Sequence, residues 1–249
     1  MLKTVHIKAV TLDDAWFQAL YAILDHGRLF VIDQGSNAGQ KRLQFDHAEI
    51  HIERPWERDV NGEPFIPVMP DGCSIPPPVA PGYVAQYYAE KLFGCVKSPN
   101  EQYTYGERLI KGSVFTHRSS KESSWITEDF VDQVQTLIDR YRIMAPTYQS
   151  NQMILQVAQP SDITLEDPPC LRHIDTMIID GRLHFYPSFR SWDLWGGFPA
   201  NLAGISLLQE YMAGEIGVLQ GEIIATSGGL HLYDYAVDLA EVRCMRLAN

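Results

Sequence analysis

Phe189-Arg190-Ser191-Trp192-Asp193-Leu194-Trp195-Gly196-Gly197-Phe198-Pro199-Ala200-Asn201 joins two stretches of different periodicity. Upstream, residues 171–179 and 183–187 alternate apolar and polar side chains around Asp180-Gly181, the pattern of a hairpin with a tight turn. Downstream, Pro199 stands at the start of a helix expected over residues 201–213. An arginine, a serine, an acid, two glycines and an amide thus fall where a strand gives way to a helix N-terminus, whose backbone donors favour anions. The same residues also fit an exposed turn with one surface ion pair.

Moving outward, residues 11–26 carry a cap at Thr11, acids at Asp13 and Asp14 and apolar residues at helical spacing, and the pattern stops at Gly27. Strands are predicted over residues 29–32, 47–52, 153–157 and 217–225, with a turn-rich loop over 33–39. The proline-rich stretch 55–81 excludes regular structure over most of its length and reads as a functional loop or an insertion. Helices are predicted over 82–93, over 127–142 with Thr127 capping Glu128 and Asp129, and over 233–245. Strands and helices mix without strict alternation. The pattern predicts an α+β fold, a mixed sheet with packed helices, as a single domain over residues 1–249.

With 249 residues, 45% of them hydrophobic, the chain can bury one sizeable core. Its 31 Asp and Glu against 20 Lys and Arg give a net charge of −11, which disfavours nucleic-acid or anionic-membrane partners because both depend on basic residues. An anionic ligand must be small and held by a few local cations. No apolar run reaches membrane-spanning length, and Met1-Leu2-Lys3-Thr4-Val5-His6 lacks the layout of a signal peptide. Cys73, Cys95, Cys170 and Cys244 form no C-x-x-C pair. Neither a zinc ribbon nor a disulfide framework is indicated, so no metal is expected, and a reduced, cytoplasmic location fits.

On its own, Pro168-Pro169-Cys170 reads as a small buried hydrophobe. Ser227-Gly228-Gly229-Leu230-His231-Leu232-Tyr233 likewise reads as a helix start with a satisfied histidine. Taken together, the three segments resemble the thymidylate synthase family. Its signature is a Pro-Cys before a strand, then Arg-Ser-x-Asp-x-x-x-Gly-x-Pro-x-Asn, then Gly-x-x-His-x-Tyr. Cys170, Arg190 to Asn201 and Gly228 to Tyr233 match in order and separation, and Tyr105-Gly106 resembles the family's Tyr-Gly upstream. The match covers roughly residues 100 to 240 and most resembles the compact archaeal-type branch and related nucleotide hydroxymethylases.

The resemblance implies a thymidylate synthase-like fold, a homodimer formed through the sheet, and a pyrimidine nucleoside monophosphate as substrate. It implies 5,10-methylenetetrahydrofolate or a related pterin as one-carbon carrier. Cys170 would add to C6 of the base and so make C5 nucleophilic. Arg190 would favour the thiolate and hold the 5′-phosphate with Ser191. Asn201 would read uracil N3–H and O4, and His231 with Tyr233 would bind the sugar 3′-hydroxyl. Asp193 would orient the carrier and Tyr105 would order water near C5.

Where the family's second subunit usually lends two arginines, this chain has Pro146-Thr147-Tyr148-Gln149-Ser150-Asn151-Gln152, leaving Arg140, Arg142 or Lys111 as replacements. Asp33-Gln34 replaces an Asp-Arg, with Lys41 and Arg42 as substitutes. Glu90 is the nearest helical candidate for the proton-relay glutamate. The chain ends at Asn249 without the segment that covers folate in most members. The leading expectation is methylation of dUMP to dTMP. The alternatives are uridylate or cytidylate 5-hydroxymethylation, or a non-catalytic nucleotide-binding relative.

Overall fold

The computed structural model describes residues 1–33, 38–59, 62–64, 67, 69, 75–99, 101–119 and 123–246. Cys73 and Gln34 lie outside the described residues. The chain opens with strand β1 (Thr4–Ala9) and helix α1 (Leu12–His26), followed by β2 (Arg28–Val31), β3 (Lys41–Gln44) and β4 (His47–Ile52). After the proline-rich stretch come α2 (Tyr83–Tyr87), which continues as a π-helical turn over Tyr88–Leu92, and α3 (Tyr105–Ile110). The hairpin β5 (Gly112–Ser119) and β6 (Ser124–Val131) precedes α4 (Gln133–Met144) and β7 (Ile154–Gln156). Strands β8 (Leu171–Ile179), β9 (Arg182–Phe189) and the short β10 (Trp192–Asp193) lead into α5 (Gly197–Ile216). Strands β11 (Leu219–Ser227) and β12 (Leu230–Tyr233) and helix α6 (Asp234–Arg243) complete the described chain.

The main sheet runs β1-β4-β11-β9-β8-β7. Its β1/β4 and β11/β9 pairs are parallel while β11/β4, β8/β9 and β7/β8 are antiparallel, so the sheet is mixed as the sequence predicts. A second sheet, β10-β12-β3-β2, carries the residues after the β9 end. Helix α5 spans 20 residues and is apolar nearly all round, which suits a helix buried on most sides. It packs on β9 and β11 and against α1, α2 and α4.

Aromatic residues fix the strand-to-helix turn. Trp192 stacks between Phe189 at 4.0 Å and Phe198 at 4.5 Å. Trp16 of α1 is fully buried and donates its indole N–H to the Leu194 carbonyl at 2.8 Å. The variable positions within the motif are therefore core residues, and they lock the turn that presents Asp193 and Asn201.

The helix expected over 127–142 is corrected. Residues 124–131 form β6, which pairs with β5 from Gly112↔Val131 to Ser119↔Ser124, and the helix starts only after Asp132. Asp132 accepts from the Gln135 amide at 2.8 Å and is the real cap. A full antiparallel ladder outweighs the local signal at Thr127. The helix expected over 82–93 changes to π geometry at Tyr88, and the closing helix begins at Asp234 because Tyr233 still belongs to β12.

Candidate active site

Cys170 immediately precedes β8, at the end of the sheet where β9 stops. Its carbonyl accepts from the Arg190 amide at 2.8 Å, so sheet pairing brings residues twenty apart in sequence side by side. The Arg190 guanidinium donates to the Pro168 and Pro169 carbonyls and to Asp167 Oδ1 at 3.1 Å. It is therefore fastened to the cysteine's own loop. Burial pushes the Cys170 thiol up, Arg190 pulls it down, and burial prevails. Arg190 thus offsets part of a desolvation cost, and the thiol of the free protein lies above its ordinary range.

A buried ion cluster braces this loop. Asp162 is 1% exposed and pairs with Arg108 at 2.9 Å, while Arg172, 3.8 Å from Asp162, donates to the Pro169 carbonyl at 3.1 Å. Removing one partner of a buried pair leaves the other charge uncompensated. Asp162→Ala is expected to destabilise the fold by about 3 kcal/mol, measured by urea unfolding.

Tyr105 accepts from the Leu171 amide at 3.3 Å, which places its phenol beside the nucleophile. Tyr87, Tyr103 and Tyr105 all lie close enough to the Cys170 thiol to be raised by it, although burial is the larger cause in each. The three phenols and Asn201 line one cavity of about 520 Å³.

Asp193 holds the start of α5: its carboxylate accepts from the amides of Trp195, Gly196 and Gly197, each at 3.1 Å. Gly197 sits close between the two polar side chains: a Cβ there would lie 3.3 Å from Asp193 Cβ and 3.7 Å from Asn201 Oδ1. Asn201 Oδ1 accepts from Trp192 Nε1 at 3.1 Å, and its Nδ2 donates to the Tyr87 hydroxyl at 2.8 Å.

His231 lies beside Asp193 because β10 and β12 pair in parallel with Asp193↔His231 in register. Its Nδ1 lies 2.8 Å from the Gly229 carbonyl, an acceptor only, so Nδ1 carries the proton and Nε2 is a bare acceptor. Nε2 is buried with no protein partner among the described residues. Burial, with help from Arg42, pushes this imidazole down to about 4, so it is neutral near pH 7. Tyr233 meets His231 edge-on with ring centres 4.6 Å apart. Arg42 of β3 pairs with Tyr233 in register. Ser191 is half-buried between Arg190 and β10.

Glu90 is not brought into this cluster. It accepts from Gln86 at 3.2 Å on the outer side of the helix, whereas Tyr83, Tyr87 and Lys91, spaced four apart, face the cavity. Nor do Arg140, Arg142 or Lys111 line it: Arg142 pairs with Glu215 at 2.9 Å and Lys111 sits over the Phe130 ring. Sequence reasoning missed Tyr87, Tyr103 and Trp192. The i, i+4 spacing of Tyr83 and Tyr87 is the signal that marks one cavity-facing stripe.

Fold and site define an α+β protein with a cysteine at a sheet end, next to the tyrosine that lines one cavity together with an oriented amide. Comparison with known proteins narrows this. The thymidylate synthase profile matches residues 95–249. A protein of Methanosarcina acetivorans named "Putative thymidylate synthase" is 30% identical over 236 residues, 94% of this chain and 92% of that one. A Methanosarcina barkeri protein of the same name is 29% identical over 241 residues. The chain belongs to the thymidylate synthase family. Its coarse chemistry is one-carbon transfer to a pyrimidine nucleotide. Among the described residues, no helix is long and apolar enough to cross a membrane.

Proposed function

We propose that this protein methylates dUMP to dTMP through a covalent adduct of Cys170 with C6 of the base. The observation that supports this most is that Tyr105 and Asn201, from separate chain segments, line one cavity, and that Tyr105 bonds there to the backbone amide next to Cys170. Addition of the Cys170 sulfur to C6 moves the ring electrons onto C5 and O4, and C5 then forms the bond to the incoming carbon. Oδ1 of Asn201 keeps a second lone pair for uracil N3–H, and Nδ2 keeps a second hydrogen for O4. His231 Nε2, a buried bare acceptor, suits the sugar 3′-hydroxyl.

The Tyr83 and Tyr103 rings lining the cavity offer the flat faces a pterin packs against; Asp193, outside that lining, is assigned its orienting role by the family resemblance. A 5,10-methylenetetrahydrofolate or related pterin bound there supplies the one-carbon unit. A homodimer would use the main-sheet face opposite α1 and α5, which presents His51, Glu222, His184 and Tyr186.

Hydroxymethylation, in which water completes the reaction, is favoured by one feature. Lys91, Glu101, Glu166 and Asp167 make the cavity rim charged and therefore wet. Incubating purified protein with dUMP and methylenetetrahydrofolate separates the readings: dTMP supports methylation and 5-hydroxymethyl-dUMP supports the second. Neither product, with no release of the C5 hydrogen, rejects both.

Arg190→Ala is expected to raise the nucleotide KM and lower kcat together, because the guanidinium would hold the phosphate and also restrains the thiol. The pH profile of Cys170 alkylation should shift upward in the variant. If neither kinetic parameter moves, the phosphate is bound elsewhere.

A further inference from the structure

We propose, on the basis of the functional reading above, that Tyr87 and Asn201 together form a two-donor receptor for the carbonyl oxygen at C4 of the base, making Tyr87 a specificity-determining and catalytic residue. The argument starts at Trp192. An indole N–H is a donor only, so the Asn201 atom facing it at 3.1 Å must be the amide oxygen. This fixes the amide orientation that side-chain geometry alone leaves ambiguous. The NH₂ group then faces Tyr87 and donates to the phenol oxygen at 2.8 Å. With its oxygen accepting, the Tyr87 O–H retains its own hydrogen to donate.

The hydroxyl is held in that place by packing. Tyr87 is 8% exposed at the junction where α2 changes to π geometry, a distortion that often marks functional positions. Its ring lies against Gly204 of α5, where a Cβ would come within 2.8 Å of two ring carbons. Gly204 stands three residues after Asn201, so the same helix face carries the amide and seats the ring that bonds to it. Burial keeps the phenol protonated, far above its ordinary range.

The second Asn201 hydrogen and the Tyr87 hydroxyl hydrogen are therefore neighbouring donors at the cavity that Tyr105, beside Cys170, also lines. Two convergent donors suit a carbonyl oxygen with two lone pairs and repel an amino group. They suit it better once sulfur addition at C6 shifts negative charge onto that oxygen, because preformed donors stabilise charge where it develops. No proton is transferred in this step. The phenol donates a hydrogen bond to the enolate oxygen and keeps its hydrogen.

Tyr87→Phe keeps the ring against Gly204 and removes only the hydroxyl. Wild type and variant are compared by release of C5 tritium from labelled dUMP, and by the inhibition constant of dCMP against dUMP, with thermal melts confirming the fold. The expected result is a fall in kcat for dUMP of about tenfold or more, with uracil-over-cytosine preference shrinking by a similar factor. An unchanged rate and preference, or an equal loss of affinity for both bases, would overturn the role of Tyr87. Wild type that releases no tritium from dUMP rejects the functional reading itself and this inference with it. An active wild type beside an unaffected variant rejects Tyr87 alone.

Discussion

Cys170→Ser is expected to lower turnover by about 10³-fold or more while nucleotide affinity changes little. The oxygen occupies nearly the same space between Pro169 and β8, so the Arg190 amide, the Tyr105 phenol and the cavity walls keep their places. What is lost is ionisation. The thiol already works against burial, with Arg190 opposing it only in part, and a hydroxyl many units less acidic has no means of reaching its anion there. Activity should rise with pH on the acid side of the wild-type profile as the thiolate forms. Steady-state kinetics with dUMP, beside equilibrium dialysis of the nucleotide, checks both halves. Activity within tenfold of wild type removes Cys170 from the nucleophile's role. The free thiols Cys95 and Cys244, exposed and buried respectively, provide the control, since serine at either should leave turnover nearly unchanged.

Asn201→Asp should reverse base preference, and the reason lies in hydrogen-bond direction. In the wild type, Trp192 donates to Oδ1 and Nδ2 donates to Tyr87. A carboxylate still accepts from Trp192 but has no hydrogen to give, so the Tyr87 hydroxyl must turn and donate to it. The pair that presented two donors then presents lone pairs from both the carboxylate and the phenol. That edge fits the amino group of cytosine and mismatches the uracil carbonyl, and a proton on cytosine N3 or on the carboxyl completes the remaining contact to N3. At about 1–3 kcal/mol for each unsatisfied buried group, two mismatched contacts amount to a change of about a hundredfold or more. The measurement is kcat/KM for dUMP and dCMP with both proteins, with UMP and CMP as sugar controls. Wild type preferring a cytosine nucleotide would reject Asn201 as the base reader.

Much of the architecture is legible in local chemistry. The hairpin at Asp180-Gly181 and the amphipathic α1 ending at Gly27 carry their own turn, cap or periodicity signals and form where predicted, whereas the helix predicted over 201–213 is longer, Gly197–Ile216, because the Asp193 carboxylate caps amides from Trp195 to Gly197. The hairpin of β5 and β6 was not legible, because its two strands pair only with each other and leave apolar residues such as Ile126 and Phe130 exposed, so no clean apolar-polar alternation marks them. Strand β1 escaped for a related reason: its burial comes from lying beside β4, 43 residues further along the chain.

The site divides in the same way. Sequence alone determined which residue types sit in the cysteine, Arg-Ser and His-x-Tyr segments and how far apart they stand, because a motif is a local pattern. Only the tertiary structure decided that Glu90, within the π-helical turn, faces away from the cavity, since such a turn shifts which side chains share a stripe. It alone oriented the Asn201 amide, through an indole nine residues back and a phenol 114 residues away. Orientation at a buried amide depends on which donors and acceptors surround it, and those neighbours are set by how helices and strands pack.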